Sequence, residues 1–317
     1  MIKKTLPLLI LGLSLSLQGC YDGESDFDKR VRMDDEAIQA HLSEQDVMAE
    51  KTTSGIYFET LHENEGGLQP TENHVASIHY SMRLLSGNEI MESNADSPYT
   101  LKFNFLQNAM IPEGVQQAVT LMREEEIFRF YIPSYWAFGE YSHPGLFSVN
   151  SSFIVEVELV SLKTEEEVLE EELENIESYL TANGYLDHPD GESLPDGLFY
   201  LPVSEGDGIS PRSTDRVQVH YTLSHLDGTV IETTEGGNPV QARLGQDQLV
   251  SGLETGIKKM KEGGDAVLVM PSSIAHGKSV QVIPLKVRRD WAESGEISQG
   301  VPPYTPVVYE VNLVEVE

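Results

Sequence analysis

The sequence predicts an α+β fold built from two similar domains. Its length of 317 residues allows two ordinary domains. One strand pattern is written twice, at residues 75–80 and again at 216–221. The predicted strands also cluster without a helix between each pair, which disfavours a parallel α/β sheet. Together these observations predict two copies of one unit.

The amino terminus indicates export. A basic start precedes an apolar run over residues 6–17, which is too short to span a bilayer as a helix. The run ends in the sequence LQGC at residues 17–20, which resembles the lipobox of bacterial lipoproteins. This resemblance implies that residues 1–19 are a lipoprotein signal peptide and that Cys20 is the lipidated residue.

A lipid anchor at Cys20 predicts where the protein works. Several acyl chains anchor a protein stably where one chain binds only marginally, so the membrane is a predicted partner and the cell envelope is the predicted location. Tyr21 follows the cysteine where the best-known inner-membrane retention signal has aspartate, which favours the outer membrane. A plain secretory signal with an unrelated cysteine is the alternative.

Changes in composition predict the domain boundaries. Residues 20–33 are polar and lack periodicity, so they are predicted to be a tether. The first domain is predicted at 34–163. An acidic helix and linker follow at 164–190, and the second domain occupies 191–317.

The joining helix has one apolar face. Leu169, Leu173, Ile176 and Leu180 recur at helical spacing, and glutamates crowd the other faces. A solvated face is the favoured interpretation of these acids. A calcium-binding run is the alternative, but it lacks an oxygen-ligand loop with a turning glycine.

Charge and cysteine content exclude several classes of protein. The formal net charge of −31 excludes a nucleic-acid binder that relies on neutralising phosphates. A single cysteine excludes disulfide scaffolds and cysteine-based metal motifs. His143 and His276 have no partners at metal-ligand spacing. The sequence therefore predicts no nucleic-acid partner and no metal site, and no cofactor is expected.

The two copies agree beyond their first strands. Val217, Val219 and Tyr221 alternate with polar residues, which is the period of a half-buried strand. A short central helix is predicted at 114–122 in the first copy and at 252–260 in the second. Each copy is thus predicted to hold strands around one short helix.

Ordered motifs in both copies resemble the FKBP-type peptidyl-prolyl isomerases. The first copy carries Ile78-His79-Tyr80, Ile111-Pro112-x-Gly114 and Ala137-Phe138-Gly139. The second copy carries Val219-His220-Tyr221, Leu249-Val250-x-Gly252-Leu253 and Ala275-His276-Gly277. The resemblance implies two FKBP-like domains, each a twisted antiparallel sheet wrapped around a short helix with an apolar pocket between them. The implied activity is rotation about Xaa-Pro bonds in proline-containing polypeptide clients.

The physics of that activity needs no cofactor. Resonance stiffens the peptide C–N bond, with a barrier of about 18–20 kcal/mol. Twisting the bond removes the resonance and makes the carbonyl less polar. An apolar pocket therefore favours the twisted amide over the planar one, which is differential binding of the transition state.

The resemblance assigns pocket residues in each domain. In the second domain it implies a catalytic set of Tyr221, Ile231, Glu232, Val240, Leu249, Val250, Leu253, His276, Val301 and Tyr309. In the first domain it implies a weaker substrate-binding set of Tyr80, Ile90, Leu101, Met110, Ile111, Val115, Phe138, His143, Phe147 and Val155. Ile90 is assigned to a position where phenylalanine is usual in the family. Met91 is assigned to the next position, where aspartate is usual.

Three functions remain open at this point. The first is a membrane-anchored prolyl isomerase that assists protein folding outside the cytoplasm, with the second domain carrying the activity. The second is a catalytically eroded FKBP-like binding or chaperone module, and the third is an acidic spacer. The long segment between Gly277 and Val301 is either a flap that contacts clients or a surface insertion.

Overall fold

The computed structural model describes residues 24–97, 99–105, 109–297 and 300–317. The predicted signal peptide and the predicted lipidation site at Cys20 lie outside the described residues. Within the described part of the chain, no helix combines the length and the apolar character needed to cross a membrane.

The first unit begins with a long helix and continues as a sheet that encloses a short helix. In chain order its elements are α1 Asp26–Glu44, β1 Glu50–Lys51, β2 Tyr57–His62, β3 Val75–Leu84, β4 Ile90–Ser93, β5 Leu101–Asn104, β6 Met110–Ile111, α2 Glu113–Val119, β7 Ile127–Ile132 and β8 Phe153–Lys163. A 3₁₀ turn at Ser134–Trp136 follows β7.

The second unit repeats this order except for strand β6, and it carries one addition. Its elements are α3 Glu165–Ala182, β9 Glu192–Ser193, β10 Phe199–Ser204, β11 Arg216–His225, β12 Val230–Thr233, β13 Val240–Arg243, α4 Ser251–Ile257, β14 Asp265–Met270, β15 Gln281–Val282, α5 Leu285–Ser294 and β16 Val307–Val316. A 3₁₀ turn at Ser272–Ile274 follows β14. Among the described residues, strand β15 and helix α5 have no counterpart in the first unit, and strand β6 has none in the second.

The two sheets have the same topology. The first runs β1-β2-β7-β8-β3-β4 and the second runs β9-β10-β14-β16-β11-β12, with β5 and β13 added on β3 and β11. All pairs within these two sheets are antiparallel. Tyr80 lies opposite Val157 in one sheet, and Tyr221 lies opposite Val311 in the other. The predicted α+β fold with two antiparallel units is confirmed.

A buried carboxylate joins each long helix to the rest of its unit. Asp34 on α1 is 3% exposed and accepts hydrogen bonds from the backbone N–H and the hydroxyl of Ser134, at 2.9 and 2.6 Å. Glu172 on α3 is 1% exposed and accepts the same two bonds from Ser272, at 2.7 and 2.8 Å. The repeat therefore extends to a polar anchor that joins each helix to the 3₁₀ turn of its own unit.

The predicted tether at 20–33 is wrong for its second half, because helix α1 begins at Asp26. Ser25 caps the helix through its side chain. Arg32 then pairs with Glu24 and Glu36. This part of the helix is stabilised by a cap and by ion pairs. Such contacts produce no periodic pattern of apolar residues that would indicate a helix in the sequence.

The buried face of α3 also differs from the predicted one. Its buried side chains are Val168, Glu172, Ile176 and Leu180, whereas Leu173 is 38% exposed. Glu172 therefore lies on the buried face of the helix, where the apolar pattern predicted Leu173. The short helices α2 and α4 lie where they were predicted, but each ends three residues earlier.

The segment between Gly277 and Val301 crosses to the other unit. We call residues 278–300 the insertion; its residues 298 and 299 are not described. Strand β15 pairs in parallel with β6 of the first unit, with Gln281 opposite Met110. Neither alternative for this segment was correct, because the first unit of the same chain covers much of it.

Candidate functional site

The second-unit site is built from two strands, a strand end and the start of helix α4. Strand β11 supplies Tyr221, and β12 beside it supplies Ile231 and Glu232. Val240 begins β13, which pairs with β11. Leu249, Val250 and Leu253 lie at and just before the amino-terminal turn of α4, with Val250 as its N-cap.

The apolar members of this site pack on the second core while keeping part of their surface in solvent. Tyr221, Ile231, Val240, Leu249 and Val250 are half-buried and contact the core cluster of the unit. Leu253 is 2% exposed and lies beneath them. The structure therefore brings most of the predicted second-domain residues together around one partly exposed apolar surface.

One hydrogen bond and one ring contact fix the aromatic side chains of this site. The Tyr221 hydroxyl donates to Glu232 Oε1 at 2.8 Å. Burial, followed by Glu232, raises the pKa of Tyr221 above its ordinary value, so the phenol stays protonated. Tyr309 on β16 lies with its ring centre 5.4 Å from that of Tyr221 in an edge-to-face arrangement.

His276 joins the site through Tyr309. Its Nε2 lies 3.0 Å from the Tyr309 hydroxyl, and the two rings are stacked. Val301 is 2% exposed and packs in the second core, where its carbonyl accepts from the buried guanidinium of Arg288. Val301 therefore supports the base of the insertion and has little exposed surface to offer a ligand.

We predict that His276 stays neutral across the physiological range. Burial, followed by the charge on Arg288, lowers the pKa of His276 to about 4. Any kcat/KM of the second-unit site is then expected to be flat between about pH 5.5 and 8, where an unperturbed histidine titrates. A step near pH 6.5 that vanishes in His276→Gln would contradict this.

The lowered pKa of His276 also predicts that the free energy of unfolding depends on pH. The unfolded chain binds this proton near pH 6.5 and the folded chain only near pH 4. Folding stability from this group is therefore present above pH 6.5 and is lost as the pH falls towards 4. In denaturant titrations at pH 7 and pH 5, His276→Gln is expected to reduce the difference between the two free energies of unfolding.

The first-unit site has the same framework with different burial. Tyr80, on β3, is 2% exposed and donates its hydroxyl to Glu92 on β4. Burial is the main cause of the raised pKa of Tyr80. Leu101 is 8% exposed, and Met110 and Val115 are fully buried.

One predicted residue of the first-unit site is misplaced. Ile90 is 62% exposed and does not contribute to the pocket. The turn between β3 and β4 is one residue longer than the turn between β11 and β12, so Met91 packs on the core and Glu92 pairs with Tyr80 as Glu232 pairs with Tyr221. The carboxylate is therefore retained, and the replacement by Met91 inferred from sequence is corrected.

The remaining predicted residues of the first unit form an aromatic wall. Phe138 stacks on Phe147 with ring centres 4.5 Å apart. Val155 is fully buried and pairs with Met82, as Tyr309 pairs with Leu223 in the other sheet. Ile111 is half-buried beside them.

The insertion covers this wall. Val282, Ile283 and Val287 are fully buried in the core cluster of the first unit. The Trp291 ring lies 5.2 Å from Tyr141 and 6.3 Å from Phe138. These contacts explain why Tyr80 and Leu101 are buried while their counterparts Tyr221 and Val240 are half-exposed.

Polar contacts hold the two ends of the covering segment. Arg288 is 1% exposed and donates to the carbonyls of Val280, Gly300 and Val301. His143 is buried, and its Nε2 lies 2.6 Å from Asp290 Oδ2. The basic residues of the insertion therefore include a buried structural arginine, which the sequence pattern did not reveal.

The chemistry available at the second-unit site is that of binding. It offers an apolar surface for a hydrophobic segment and a carboxylate, Glu232, that can accept a hydrogen bond from a backbone N–H. Among the described residues, no group of three or more His, Cys, Asp or Glu side chains is placed to hold a metal ion.

Comparison with known sequences gives a consistent result. A protein-family model described as FKBP-type peptidyl-prolyl cis-trans isomerase matches residues 66–160 and 208–314. The chain is 31% identical over 122 residues to FkpA of Escherichia coli K12, covering 38% of each protein. It is 30% identical over 125 residues to the FKBP-type 22 kDa peptidyl-prolyl cis-trans isomerase of the same strain, covering 39% of this chain and 52% of that protein. The alignments thus span less than two thirds of either relative.

The chain is also similar to solved structures. The crystal structure of E. coli FkpA matches with a TM-score of 0.36 and 24% identity, covering 48% of this chain and 64% of that one. The structure of the three FKBP domains of wheat FKBP73 matches with a TM-score of 0.33 and 21% identity, covering 86% of this chain and 99% of that one.

Proposed function

The chain belongs to the family of FKBP-type peptidyl-prolyl cis-trans isomerases, and from this membership we propose that it catalyses rotation about Xaa-Pro bonds at the second-unit site. The observation that carries the proposal is the half-exposed apolar surface formed by Ile231, Val240, Leu249 and Val250 beside the Tyr221–Glu232 pair. Such a surface can take a proline ring and its preceding side chain out of water.

Two physical effects would lower the barrier at this site. The twisted amide has a less polar carbonyl than the planar one, so an apolar surface binds it relatively better. Glu232 can fix the backbone that follows the proline by accepting an N–H, which orients the segment. His276, held neutral by burial, adds no charge that would favour the planar amide.

The experiment is a prolyl-isomerisation assay on the full chain with Xaa-Pro peptides. Uncatalysed isomerisation takes tens to hundreds of seconds, so acceleration is easily measured. Catalysis that is lost in Tyr221→Ala supports the proposal. Folded protein with no turnover would favour the second candidate, a binding module of the same fold.

We also propose that the protein is anchored at the cell envelope through a lipid on Cys20. The support is the lipobox resemblance at residues 17–20. Cys20→Ala is expected to move the protein from the membrane fraction to the soluble fraction of the cell. Continued sedimentation of the variant with the membranes would contradict the anchor, and density separation of wild-type membranes tests the outer-membrane assignment.

A further inference from the structure

The insertion lies on the first unit as an extended peptide lies in a binding site. The backbone N–H of Gln281 donates to the carbonyl of Ala109 at 2.7 Å, and that of Ile283 donates to the carbonyl of Ile111 at 2.9 Å. The Gln281 side chain adds a bond to the carbonyl of Lys102 at 3.1 Å. These contacts fix the register of the insertion along strands β5 and β6.

The next residues fill the site itself. Ile283 and Pro284 are buried, and the N–H of Leu285 donates to both oxygens of Glu92 at 2.8 and 2.9 Å. Glu92 also accepts the Tyr80 hydroxyl. The Glu92 carboxylate therefore accepts a hydrogen bond from the backbone N–H of the residue that follows Pro284 in the same chain.

The remaining contacts are apolar in the centre and polar at the rim. Val287 is fully buried in the first core, and Trp291 packs on Phe138 and Tyr141. Asp290 closes the rim by contacting His143 and Lys286. An apolar centre with a polar rim is the usual anatomy of a specific protein interface.

We propose that the first-unit site is a binding site for an extended apolar segment containing proline, and that its resident ligand is the insertion of the second unit. In this state the first unit takes no client, and the interaction fixes the two units to each other. The two sites of the chain thereby have different roles, one holding its own chain and the other open to clients. This inference goes beyond the proposed catalysis, which depends on the second-unit site alone.

The first measurement is amide hydrogen exchange on the wild-type full chain. The amides of Gln281, Ile283 and Leu285 are expected to exchange at least about 100-fold more slowly than in an unstructured peptide, because each donates to the first unit. Exchange at the rate of a free peptide would overturn the proposal.

The second measurement releases the insertion. Ile283→Asp places a charge in the apolar centre and is expected to abolish this protection. The matched control is Ile209→Asp, the same change at a residue that is 61% exposed in the second unit. Circular dichroism checks that both variants fold, and isomerisation by the second-unit site is expected to persist in both.

The third measurement asks whether the released site binds a ligand. A synthetic peptide of residues 279–292 is titrated by calorimetry into wild type and Ile283→Asp. The variant is expected to bind one more peptide per chain than wild type, and a peptide carrying the same Ile283→Asp change should not occupy that extra site. Equal numbers of sites on the two proteins would overturn the proposal.

A milder pair of variants decides the matter if Ile283→Asp does not fold. Leu285 is the first residue of α5, a position that tolerates proline, and Pro284 before it is already extended. Leu285→Pro therefore removes the N–H that reaches Glu92, whereas Leu285→Ala keeps it. Exchange at Gln281 and Ile283 is expected to be about tenfold faster in the proline variant; equal exchange would overturn the proposal.

Discussion

Replacing Val250 by aspartate is expected to lower the kcat/KM for Xaa-Pro isomerisation by about 100-fold, which corresponds to about 2.7 kcal/mol. Val250 lies half-buried at the second-unit site, where a carboxylate would have to lose water when an apolar segment binds. The fold is expected to survive, because Val250 is the N-cap of helix α4 and aspartate is a favoured N-cap. The prolyl-isomerisation assay measures the effect.

Two control variants separate the effect of the position from the effect of the added charge. Val250→Ile keeps the surface apolar and is expected to keep kcat/KM within about threefold of wild type. Val203→Asp makes the same charge change on β10 of the same unit, at a residue that is 65% exposed, and should leave turnover unchanged. Equal losses in Val203→Asp and Val250→Asp would show that catalysis lies elsewhere.

Glu172→Ala is expected to lower the free energy of unfolding by about 3 kcal/mol. The substitution leaves the buried N–H and hydroxyl of Ser272 without their acceptor, and each unsatisfied buried group costs about 1–3 kcal/mol. Denaturant titration monitored by circular dichroism measures the change.

The control for this prediction lies one half-turn along the same helix. Glu174 is exposed on α3, so Glu174→Ala should change the free energy of unfolding by no more than about 0.5 kcal/mol. Asp34→Ala removes the equivalent anchor in the first unit and is expected to match Glu172→Ala in size. Alanine is the better helix former, so helix propensity cannot cause a loss in either variant. A loss in Glu174→Ala as large as that in Glu172→Ala would contradict the role given to the buried anchor.

Much of the fold could be predicted because the strands repeat with a strict period. Val217, Val219 and Tyr221 alternate along β11 as the sequence indicates, and each short helix begins one residue before its motif glycine. The anchors Asp34 and Glu172 could not be recognised, since an acidic residue on an acidic helix gives no sign of burial. Their partners Ser134 and Ser272 are distant in the sequence.

The second-unit residues were predictable because they follow an ordered set of motifs. The first-unit carboxylate was missed by one position, since the turn before β4 is one residue longer than the turn before β12. Spacing alone assigned the carboxylate position to Met91. The carboxylate two residues after Ile90 could have indicated the correct position.

The role of the insertion could not be predicted from local pattern. Val282, Ile283 and Val287 are apolar in a segment that otherwise looks like a charged surface loop, and their partner is a strand of the other unit. Strands β15 and β6 pair although their residues are far apart in the sequence. A periodic pattern within either segment cannot indicate such a pairing.

The most direct test of the central claim is hydrogen exchange of the wild-type full chain with and without a saturating Xaa-Pro peptide. The account predicts that the added peptide protects the second-unit site around Tyr221, Val240 and Leu249–Leu253 and leaves the first-unit site unchanged. Added protection around Tyr80 and Val115, with none in the second unit, would contradict it.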